Sequence, residues 1–310
     1  MSETSGVALA IDLGGTKLAA AIGDAEGQLR RQRSEPTGRG ESAERVLARA
    51  LQLARGVLEE ERAAGVSVAR VGVSTMGITG EEGTLLAPNV EGWGRLAIPQ
   101  ALRSAFPGLA IAVANDVRAA ALAELRWGAL AGVATGVYVN LGTGTAAAIV
   151  IGGRLFEGAH AAAGEIGYCL APGWQDVPLA AEGGVPAEQL YGGNGVARRA
   201  SERLGTTLDL PGILALAEHD PEAATFVGEL WDGIAALTAN LAIVIDPEVV
   251  VLGGGYVRTD SSLVNHVAAL VGRAVPFAPR VVRARFGGDA SLHGAVAVAL
   301  DDSVSVGDRR

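Results

Sequence analysis

The sequence predicts an α/β fold built from two similar domains, and three observations lead to this prediction. The chain has 310 residues, of which 49% are hydrophobic, and this length is natural for two hydrophobic cores rather than one. A strand–turn–strand pattern with a glycine-rich turn occurs near the N-terminus and again in the middle of the chain. Strands and helices then alternate after each copy, which is typical of a mixed sheet covered by helices.

The first copy of the pattern is the segment 7–24. An apolar run at 7–11 ends in the sequence DLGGTK at 12–17, and a second apolar run follows directly. Adjacent glycines leave backbone N–H groups uncovered, while a threonine and a lysine add a hydroxyl and a positive charge, so the turn can bind phosphate. Its residues are Asp12, Gly14, Gly15, Thr16 and Lys17. The alternative is that the two glycines only close a tight hairpin.

The second copy spans 137–151 and carries the sequence NLGTGT at 140–145. Aligning Asp12 with Asn140 also aligns the following Leu-Gly pair. Self-similarity at this long spacing indicates two like domains, each presenting a hairpin turn, with a ligand bound between them. We expect residues 1–116 plus 291–310 to form the N-terminal domain and residues 117–290 to form the C-terminal domain.

The elements between the two hairpins follow from periodicity. We expect a polar strand at 27–33, an amphipathic helix at 41–64 that Gly65 terminates, and a strand at 68–73. A short helix at 100–106, a strand at 109–114 and a helix at 117–130 complete the first half. The glycine-rich stretch 80–93 lacks periodicity and is long enough for a functional loop.

The second half repeats this order with insertions. After the second hairpin we expect a short strand at 154–156, helices at 185–204 and 221–245, and a strand at 249–252. Asp246-Pro247 forces the end of the long helix before that strand. A helix at 257–275, a strand at 281–286 and a last helix at 291–300 follow.

Composition limits the partners. The net charge is −9, without basic clusters or interleaved aromatic residues, so we expect no nucleic acid and no anionic membrane as partner, but a small molecule. The single cysteine excludes an intramolecular disulfide, and the N-terminus lacks the pattern of a signal peptide. Polar residues break the apolar runs well short of about 20 residues, so no transmembrane helix is expected. These features predict a cytoplasmic protein.

Six motifs in order resemble the ROK family of sugar kinases, which has the actin-like ATPase fold. They are DLGGTK at 12–17, PN at 88–89 with GW at 92–93, ND at 115–116, LGTGT at 141–145, AGEIG at 163–167 and LGGG at 252–255. The resemblance covers nearly the whole chain. It implies two duplicated actin-like α/β domains with a nucleotide and sugar cleft between them. It also implies an ATP- and Mg²⁺-dependent kinase acting on the 6-hydroxyl of a hexose or amino hexose, assembled as a homodimer. The chain starts on its first strand, without the helix-turn-helix domain of ROK repressors, which favours an enzyme.

Asp116 is the candidate catalytic residue. Phosphoryl transfer to a sugar hydroxyl needs a carboxylate within reach of that hydroxyl, a metal that neutralises phosphate charge, and exclusion of water. Asp116 follows a predicted buried strand beside Asn115, and its position matches the general base of the family. The alternative is that Asp116 only caps the helix that starts after it.

The resemblance also implies the binding residues. Amide, carboxylate and phenol groups can all form hydrogen bonds with sugar hydroxyls. The sugar-binding residues implied by the resemblance are Gly77, Asn89, Asn115, Asp116, Glu165, Tyr168 and Glu188. The nucleotide is bound by both hairpin turns, where the second turn contributes Gly142, Thr143, Gly144 and Thr145, and by Gly253, Gly254 and Gly255. Asp12 orients Mg²⁺ through water. The alternative interpretation of Gly253, Gly254 and Gly255 is that they only form a turn leading into a helix. The P-loop and Rossmann glycine motifs are absent from the sequence.

The sequence departs from the family at one place. Most ROK kinases follow the Gly-Glu-Ile-Gly motif with histidine and a cysteine-rich zinc loop, whereas this chain has Tyr168 and a single cysteine, Cys169. We therefore expect no structural zinc. The loop 171–186, with Asp176 and Glu182, replaces the zinc loop.

This departure leaves the acceptor open. An amino sugar such as kanosamine suits an acidic pocket, while glucose and N-acetylated hexosamines remain candidates. A non-catalytic sugar sensor of the ROK type and an N-acetylhexosamine kinase are the alternative functions. A chaperone or filament protein of the actin-like class would lack the Asn115-Asp116 pair and would show no dependence on sugar.

Overall fold

The computed structural model describes residues 6–38, 40–79, 83–85 and 92–301, which form two compact units. The first unit is Met1–Gly128 with Asp289–Arg310, and the second is Ala129–Gly288. The two units differ from the predicted domains in the helix that follows Asn115. This helix lies in the first unit because it packs against the last helix of the chain, which returns to that unit.

The strands of the described residues are β1 Ala8–Leu13, β2 Lys17–Gly23, β3 Leu29–Pro36, β4 Arg70–Thr75, β5 Ile78–Thr79, β6 Thr84–Leu85, β7 Ala110–Asn115, β8 Thr135–Leu141, β9 Thr145–Ile151, β10 Arg154–Phe156, β11 Val249–Gly253 and β12 Arg280–Arg283. The α-helices are α1 Ala43–Ala63, α2 Ile98–Ala105, α3 Asp116–Trp127, α4 Pro186–Tyr191, α5 Gly193–Leu204, α6 Leu210–Ala217, α7 Pro221–Ile245, α8 Gly255–Thr259, α9 Ser262–Ala274 and α10 Ala290–Leu300.

Each unit contains a five-stranded mixed sheet, and the two sheets have the same topology. The strand order is β3-β2-β1-β4-β7 in the first unit and β10-β9-β8-β11-β12 in the second. In each sheet three antiparallel strands come first along the chain, and two strands parallel to the first are added after crossovers. The duplication predicted from the two hairpin motifs is therefore confirmed.

The first unit has apolar cores on both faces of its sheet. Helix α1 contributes one apolar stripe to the larger core, and Ser42 caps its N-terminus by accepting a hydrogen bond from the Arg45 N–H. Helix α10 covers the other face, where Leu292 and Val296 pack against alanines of β1 and β2. Small side chains on that face let the helix approach the strands closely.

The second unit has one large apolar core that α7 crosses. This helix is long and apolar enough to span a membrane by length and composition alone. Its buried face, however, packs in the core of the unit, with Phe226, Leu230 and Ile234 almost inaccessible to solvent. The core helix of a globular unit meets the same criteria of length and composition.

The structure corrects several predicted boundaries. The helix predicted at 185–204 is two helices, α4 and α5, because the chain is extended at Gly192. The helix predicted at 257–275 is likewise divided into α8 and α9, with Asp260 extended between them. Helix α6 was not predicted, because its sequence is apolar on nearly all sides and lacks helical periodicity. Most of the predicted loop at 80–93 lies outside the described residues.

Candidate active site

The turn of the first hairpin is narrow and shaped by its backbone. Leu13 pairs with Leu18 across β1 and β2, which leaves the four residues 14–17 at the tip. The Gly14 N–H donates a hydrogen bond to the Lys17 carbonyl at 3.2 Å. A Cβ at Gly14 would lie 2.7 Å from that same carbonyl, so only glycine fits there. Gly15 and Thr16 at the tip are exposed to solvent and accessible to a ligand.

Thr37 fixes this turn from outside the hairpin. Its buried hydroxyl donates to the Gly14 carbonyl at 2.7 Å, and its N–H donates to the Thr16 carbonyl at 3.0 Å. The Thr37 carbonyl in turn accepts a hydrogen bond from Arg49 on α1 at 2.9 Å. Sequence reasoning missed Thr37, because only the folded chain brings the end of β3 beside the turn.

Two carboxylates lie at the same edge of the first sheet. Strands β1, β4 and β7 are parallel neighbours, and Asp12 lies opposite Ser74 near their carboxyl ends. Asp116 follows the end of β7 directly, as the first residue of α3. Ligands of open α/β sheets bind outside the carboxyl ends of parallel strands, so Asp12 and Asp116 occupy a suitable edge for chemistry.

The electrostatics of this edge favour a cation. The pKa of the Asp12 carboxyl is raised to about 7, chiefly by burial and then by the charge of Asp116, while Lys17 and the Ser74 hydroxyl act to lower it. The Asp289 carboxylate also raises the pKa of Asp12. Burial likewise raises the pKa of Asp116, against the hydrogen bond that its carboxylate accepts from the Val117 N–H at 2.9 Å. A bound cation would stabilise both carboxylates in their charged forms.

Asn115 is the capping residue of α3. Its side-chain oxygen accepts a hydrogen bond from the Arg118 N–H at 2.8 Å. The cap that was the alternative role for Asp116 is therefore supplied by its neighbour. The amide nitrogen of Asn115 is left to donate elsewhere, and its role as a sugar ligand stays a prediction.

The other predicted residues of the first unit are placed as follows. Gly77 comes shortly after β4 and has a positive φ of 74°, which glycine adopts without strain. Asn89 lies outside the described residues. Lys17 extends to the start of α10, where its Nζ lies 3.5 Å from the Asp289 Oδ1. Sequence reasoning missed Asp289, which is 272 residues from Lys17 along the chain.

The turn of the second hairpin is shorter by one residue. Leu141 pairs with Thr145, which leaves Gly142, Thr143 and Gly144 at the tip. The Thr145 side chain is buried, and its hydroxyl has no hydrogen-bond partner among the residues that the structure describes. A buried hydroxyl without a partner can donate a hydrogen bond to a ligand. Its position beside a glycine-rich turn fits a turn that binds an anion.

Glu165, Tyr168 and Glu188 lie close together in the second unit. Burial raises the pKa of the Tyr168 phenol, and the charges of Glu165 and Glu188 raise it further. All three side chains are partly buried. They therefore form a small acidic group that can bind hydroxyl or ammonium groups. Helix α4, which carries Glu188, begins at the end of the loop that was predicted to replace a zinc loop.

The glycine stretch lies at the end of β11. Gly253 ends the strand, Gly254 adopts a positive φ of 92°, and Gly255 begins α8. The stretch is thus a turn that leads into a helix, as the alternative interpretation held. It also lines a cavity of about 290 Å³, whose wall includes Arg258 and Arg285. The volume suits the base or ribose of a nucleotide rather than a whole nucleotide.

The residues present fit a nucleotide with a magnesium ion. Asp12 supplies a buried carboxylate oxygen, and Mg²⁺ prefers oxygen ligands while it keeps several waters and phosphate ligands. Within the described ranges no group of three or more histidine, cysteine, aspartate or glutamate side chains could hold a metal by itself. This donor set suits an ion that is bound together with phosphates and is oriented by one carboxylate.

Comparison with known proteins agrees with this geometry. The family model described as ROK family matches residues 8–302. N-acetylmannosamine kinase from Escherichia coli O7:K1 is 31% identical over 302 residues, which cover 96% of this chain and 99% of the relative.

Two solved structures are also similar. The crystal structure of ROK hexokinase from Thermus thermophilus has a TM-score of 0.80 and 31% identity, and the match covers 94% of this chain and 97% of that one. The structure of a ROK family glucokinase from Streptomyces griseus in complex with glucose and AMPPNP has a TM-score of 0.77 and 26% identity, covering 95% and 99%. With the duplicated sheets and ordered motifs, these matches show that the chain belongs to the ROK family.

Proposed function

We propose that the protein transfers the γ-phosphoryl group of ATP to the 6-hydroxyl of a hexose that carries a nitrogen substituent. The family and its named relatives make the chain a sugar kinase of the ROK type and hence a phosphotransferase. The acceptor, the 6-position and the role of each residue are what we propose beyond that.

The observation that carries the catalytic proposal is the position of Asp116. Its carboxylate follows the end of β7, is partly buried, and accepts a hydrogen bond from the Val117 N–H that fixes its orientation. Burial raises its pKa, which makes the carboxylate a stronger base than an exposed aspartate. A rigid, basic carboxylate at a sheet edge is the arrangement that deprotonation of a sugar hydroxyl requires.

The proposed reaction balances as follows. Asp116 accepts the proton of the 6-hydroxyl while the hydroxyl oxygen forms a bond to the γ-phosphorus. The bond between the γ-phosphorus and the bridging oxygen breaks, and ADP leaves with the electron pair. Mg²⁺, when bound, neutralises charge on the phosphates. Lys17 supplies a positive charge for the phosphates, and Asp12 would hold the ion through its carboxylate.

We assign each unit its own contacts with the nucleotide. In the first unit, the turn that Thr37 fixes presents Gly14, Gly15 and Thr16 to phosphate oxygens. In the second unit, the turn with Thr143 and Gly144 binds phosphate, and the cavity beside Gly253, Gly254 and Gly255 takes the nucleoside end. Backbone N–H groups in such turns are donors that suit phosphate oxygens.

The acidic group of the second unit supports an acceptor with an amino group. Glu165 and Glu188 lie near the Tyr168 phenol, so the group combines negative charge with a neutral donor. An ammonium bound to a carboxylate gains a charge-assisted hydrogen bond of about 1.5 to 3 kcal/mol. Glucose lacks this interaction, so we expect glucose to be the poorer substrate.

An N-acetylhexosamine is the second candidate acceptor. The observation that favours it is the similarity to N-acetylmannosamine kinase along almost the whole length of both chains. Its acetamido group is uncharged, so it would accept a hydrogen bond from Tyr168 and gain nothing from the two carboxylates.

A coupled assay of ADP release with a panel of sugars tests the proposal. The panel contains glucose, mannose, glucosamine, mannosamine, kanosamine, N-acetylglucosamine and N-acetylmannosamine, each with ATP and Mg²⁺. We expect kcat/KM to be highest for a sugar with a nitrogen substituent. The ratio of kcat/KM for the free amino sugar to kcat/KM for its N-acetylated form distinguishes the two candidate acceptors. A kcat/KM for glucose that equals or exceeds every other value contradicts the proposed acceptor. Failure of every sugar to stimulate ADP release favours the non-catalytic sensor.

Two further properties are proposals of the same kind. ATP as donor supports a cytoplasmic location. A homodimer is supported by large apolar side chains that are exposed on the second unit, including Val244 and Phe277. Light scattering on the purified protein measures the mass of the particle, and a monomer across the micromolar range contradicts the dimer.

A further inference from the structure

We propose that Glu188 is a positioning residue for the second hairpin turn and that it thereby couples binding of the acceptor sugar to binding of the nucleotide. This inference rests on the proposed function, because it assumes that the turn binds phosphate and that Glu188 faces the sugar. It adds a role that contact with sugar alone does not include: the carboxylate holds the backbone of the phosphate-binding turn.

The first observation is a direct hydrogen bond. The Thr145 backbone N–H donates to the Glu188 Oε2 at 3.1 Å, and this bond joins residues 43 positions apart in sequence. Thr145 is the residue at which the turn ends and β9 begins. A hydrogen bond to a charged acceptor is stronger than one between neutral groups, so the carboxylate fixes the exit of the turn.

The second observation is that the chain just after Glu188 also holds the turn. The Gly193 N–H lies 2.9 Å from the Gly142 carbonyl and 3.0 Å from the Thr143 carbonyl. The α4 helix and the start of α5 therefore hold both ends of the turn, through Glu188 at one end and Gly193 at the other. With these backbone atoms held, the N–H groups at the tip keep fixed directions toward a phosphate.

The third observation is the close fit between the carboxylate and the tip. A Cβ at Gly144 would lie 2.8 Å from the Glu188 Oε2, so a side chain at this position would displace the carboxylate. The glycine is thus required for contact with Glu188 as well as for access of a phosphate. A sequence pattern alone assigns Gly144 only the second of these roles.

The fourth observation connects Glu188 to the acceptor. Its charge acts on the Tyr168 phenol together with that of Glu165, so the carboxylate belongs to the group proposed to bind the sugar. A sugar that fixes Glu188 also fixes the turn, and a nucleotide that orders the turn also orders Glu188. Reciprocity of binding free energies then requires each ligand to raise the affinity for the other by the same factor.

Calorimetric titration with ADP and Mg²⁺ in the absence of sugar tests the positioning role. A residue that only contacted sugar would leave the Kd for ADP unchanged in this experiment. We expect Glu188→Ala to weaken ADP binding by about tenfold, which corresponds to loss of one charge-assisted hydrogen bond that orders the turn. We expect Glu188→Gln, whose amide oxygen still accepts a hydrogen bond from Thr145, to stay within about threefold of the parent protein.

The coupling is measured by repeating the titration with the sugar that has the highest kcat/KM in the panel. We expect the sugar to lower the Kd for ADP in the parent protein and to have no such effect in Glu188→Ala. Glu202→Ala is the matched control, because this exposed glutamate of α5 is ion-paired at 4.0 Å with Arg198 in the preceding turn of the same helix. It should retain both the Kd for ADP and the coupling.

The outcomes separate the inference from the proposed function. An unchanged Kd for ADP in a folded Glu188→Ala protein overturns the positioning role, even when the parent protein phosphorylates sugar. Absence of any sugar-dependent turnover in the parent protein overturns the proposed function instead. If Glu188→Ala does not fold, Glu188→Asp replaces it, because the shorter carboxylate does not reach Thr145 and should weaken ADP binding. A Kd for ADP in Glu188→Asp equal to that of the parent then overturns the inference.

Discussion

The Lys17 ammonium lies 3.5 Å from the Asp289 carboxylate and joins the first hairpin turn to the start of α10. Both side chains are partly exposed, at 41% and 45%, so solvent weakens their attraction. If the first turn binds phosphate as we propose, the contact matters more for the ligand than for the fold, because Asp289 would compete with phosphate for Lys17, the cation of the turn. It also adds negative charge near Asp12.

Asp289→Asn therefore tests this competition. We expect the free energy of unfolding to change by less than about 1 kcal/mol, and ATP binding to strengthen by up to about fivefold. Titration with ATP at low and high salt measures the effect, which salt should reduce. The same substitution in a Lys17→Met background is the control and should have a smaller effect. Weaker ATP binding in Asp289→Asn would mean that Asp289 supports the ligand instead.

Replacement of the proposed base tests the chemistry. We expect Asp116→Asn and Asp116→Ala to retain nucleotide and sugar binding and to lower kcat by roughly 10² to 10⁴, the usual contribution of a positioned base. Steady-state kinetics with the best sugar of the panel and titration with ADP measure the two quantities. Asp24→Asn, a substitution in an exposed turn after β2, is the control. Turnover near that of the parent protein in Asp116→Ala would refute the assignment.

The raised pKa of Asp12 predicts how stability depends on pH. The carboxyl has a pKa of about 7 in the folded protein against an ordinary value of 3.8, so the folded state holds a proton that the unfolded chain releases. The contribution of this carboxyl to stability is therefore greatest below the ordinary pKa and falls as the pH rises toward about 7, by at most about 1.4 kcal/mol per pH unit for one proton. Above that pH both states are ionised and this slope disappears.

Urea unfolding at a series of pH values measures this slope. We expect Asp12→Asn to remove the fall between these two pKa values, because the amide does not titrate. Asp24→Asn serves as the control, because Asp24 is only partly buried, whereas Asp12 is almost inaccessible to solvent. Parallel pH profiles for the parent protein and Asp12→Asn would contradict the predicted pKa.

Metal content provides a further test. We expect no stoichiometric zinc in the purified protein and no loss of activity with a zinc-selective chelator, because a single cysteine is a poor basis for a structural zinc site. Activity should require Mg²⁺. Elemental analysis and titration of Mg²⁺ into the assay check both points. One zinc per chain would show that other residues form a site.

Glu165→Gln tests the basis of acceptor choice. The substitution removes one negative charge beside Tyr168 and keeps the size of the side chain. We expect kcat/KM for an amino hexose to fall by about one to two decades, and the value for glucose to change much less. The ratio of the two values is the measurement, and Glu182→Gln in the exposed loop that follows Tyr168 is the control. Equal losses for both sugars would mean that Glu165 binds a hydroxyl instead of an ammonium.

Much of the fold was predictable because its signals are local. The two hairpins, the long helix α7 and the short strand β10 lie where their apolar patterns placed them, and α7 and β10 have the predicted boundaries. The repeated turn motif also predicted two sheets of the same topology. The predicted boundaries that differ lie at residues whose backbone conformation the apolar pattern does not indicate. At Gly192, for example, an extended backbone divides one predicted helix into two.

The candidate site was predictable only in part. Asp12 lies near the carboxyl end of β1 and Asp116 follows β7, and the rule that ligands bind at the carboxyl ends of parallel strands needs no coordinates. Thr37 and Asp289 carried no such signal, because each acts through a contact with a turn that is distant in sequence. The sequence offered Asp116 as a possible cap of α3, whereas the structure shows that Asn115 is the cap. Sequence could not distinguish the two, since both residue types cap helices.

The class of the fold, the duplication, the family and the residues of both turns can be read from the amino-acid order, because glycine, threonine and aspartate have local conformational and chemical preferences. The contacts that hold those residues appear only in the folded chain: the Thr37 hydroxyl on the first turn, the Glu188 carboxylate on the second, and the burial that raises the pKa of Asp12. Hydrogen bonding and desolvation depend on which groups the folded chain brings within a few ångströms. The spacing of residues along the sequence does not indicate which of these groups lie close together in space.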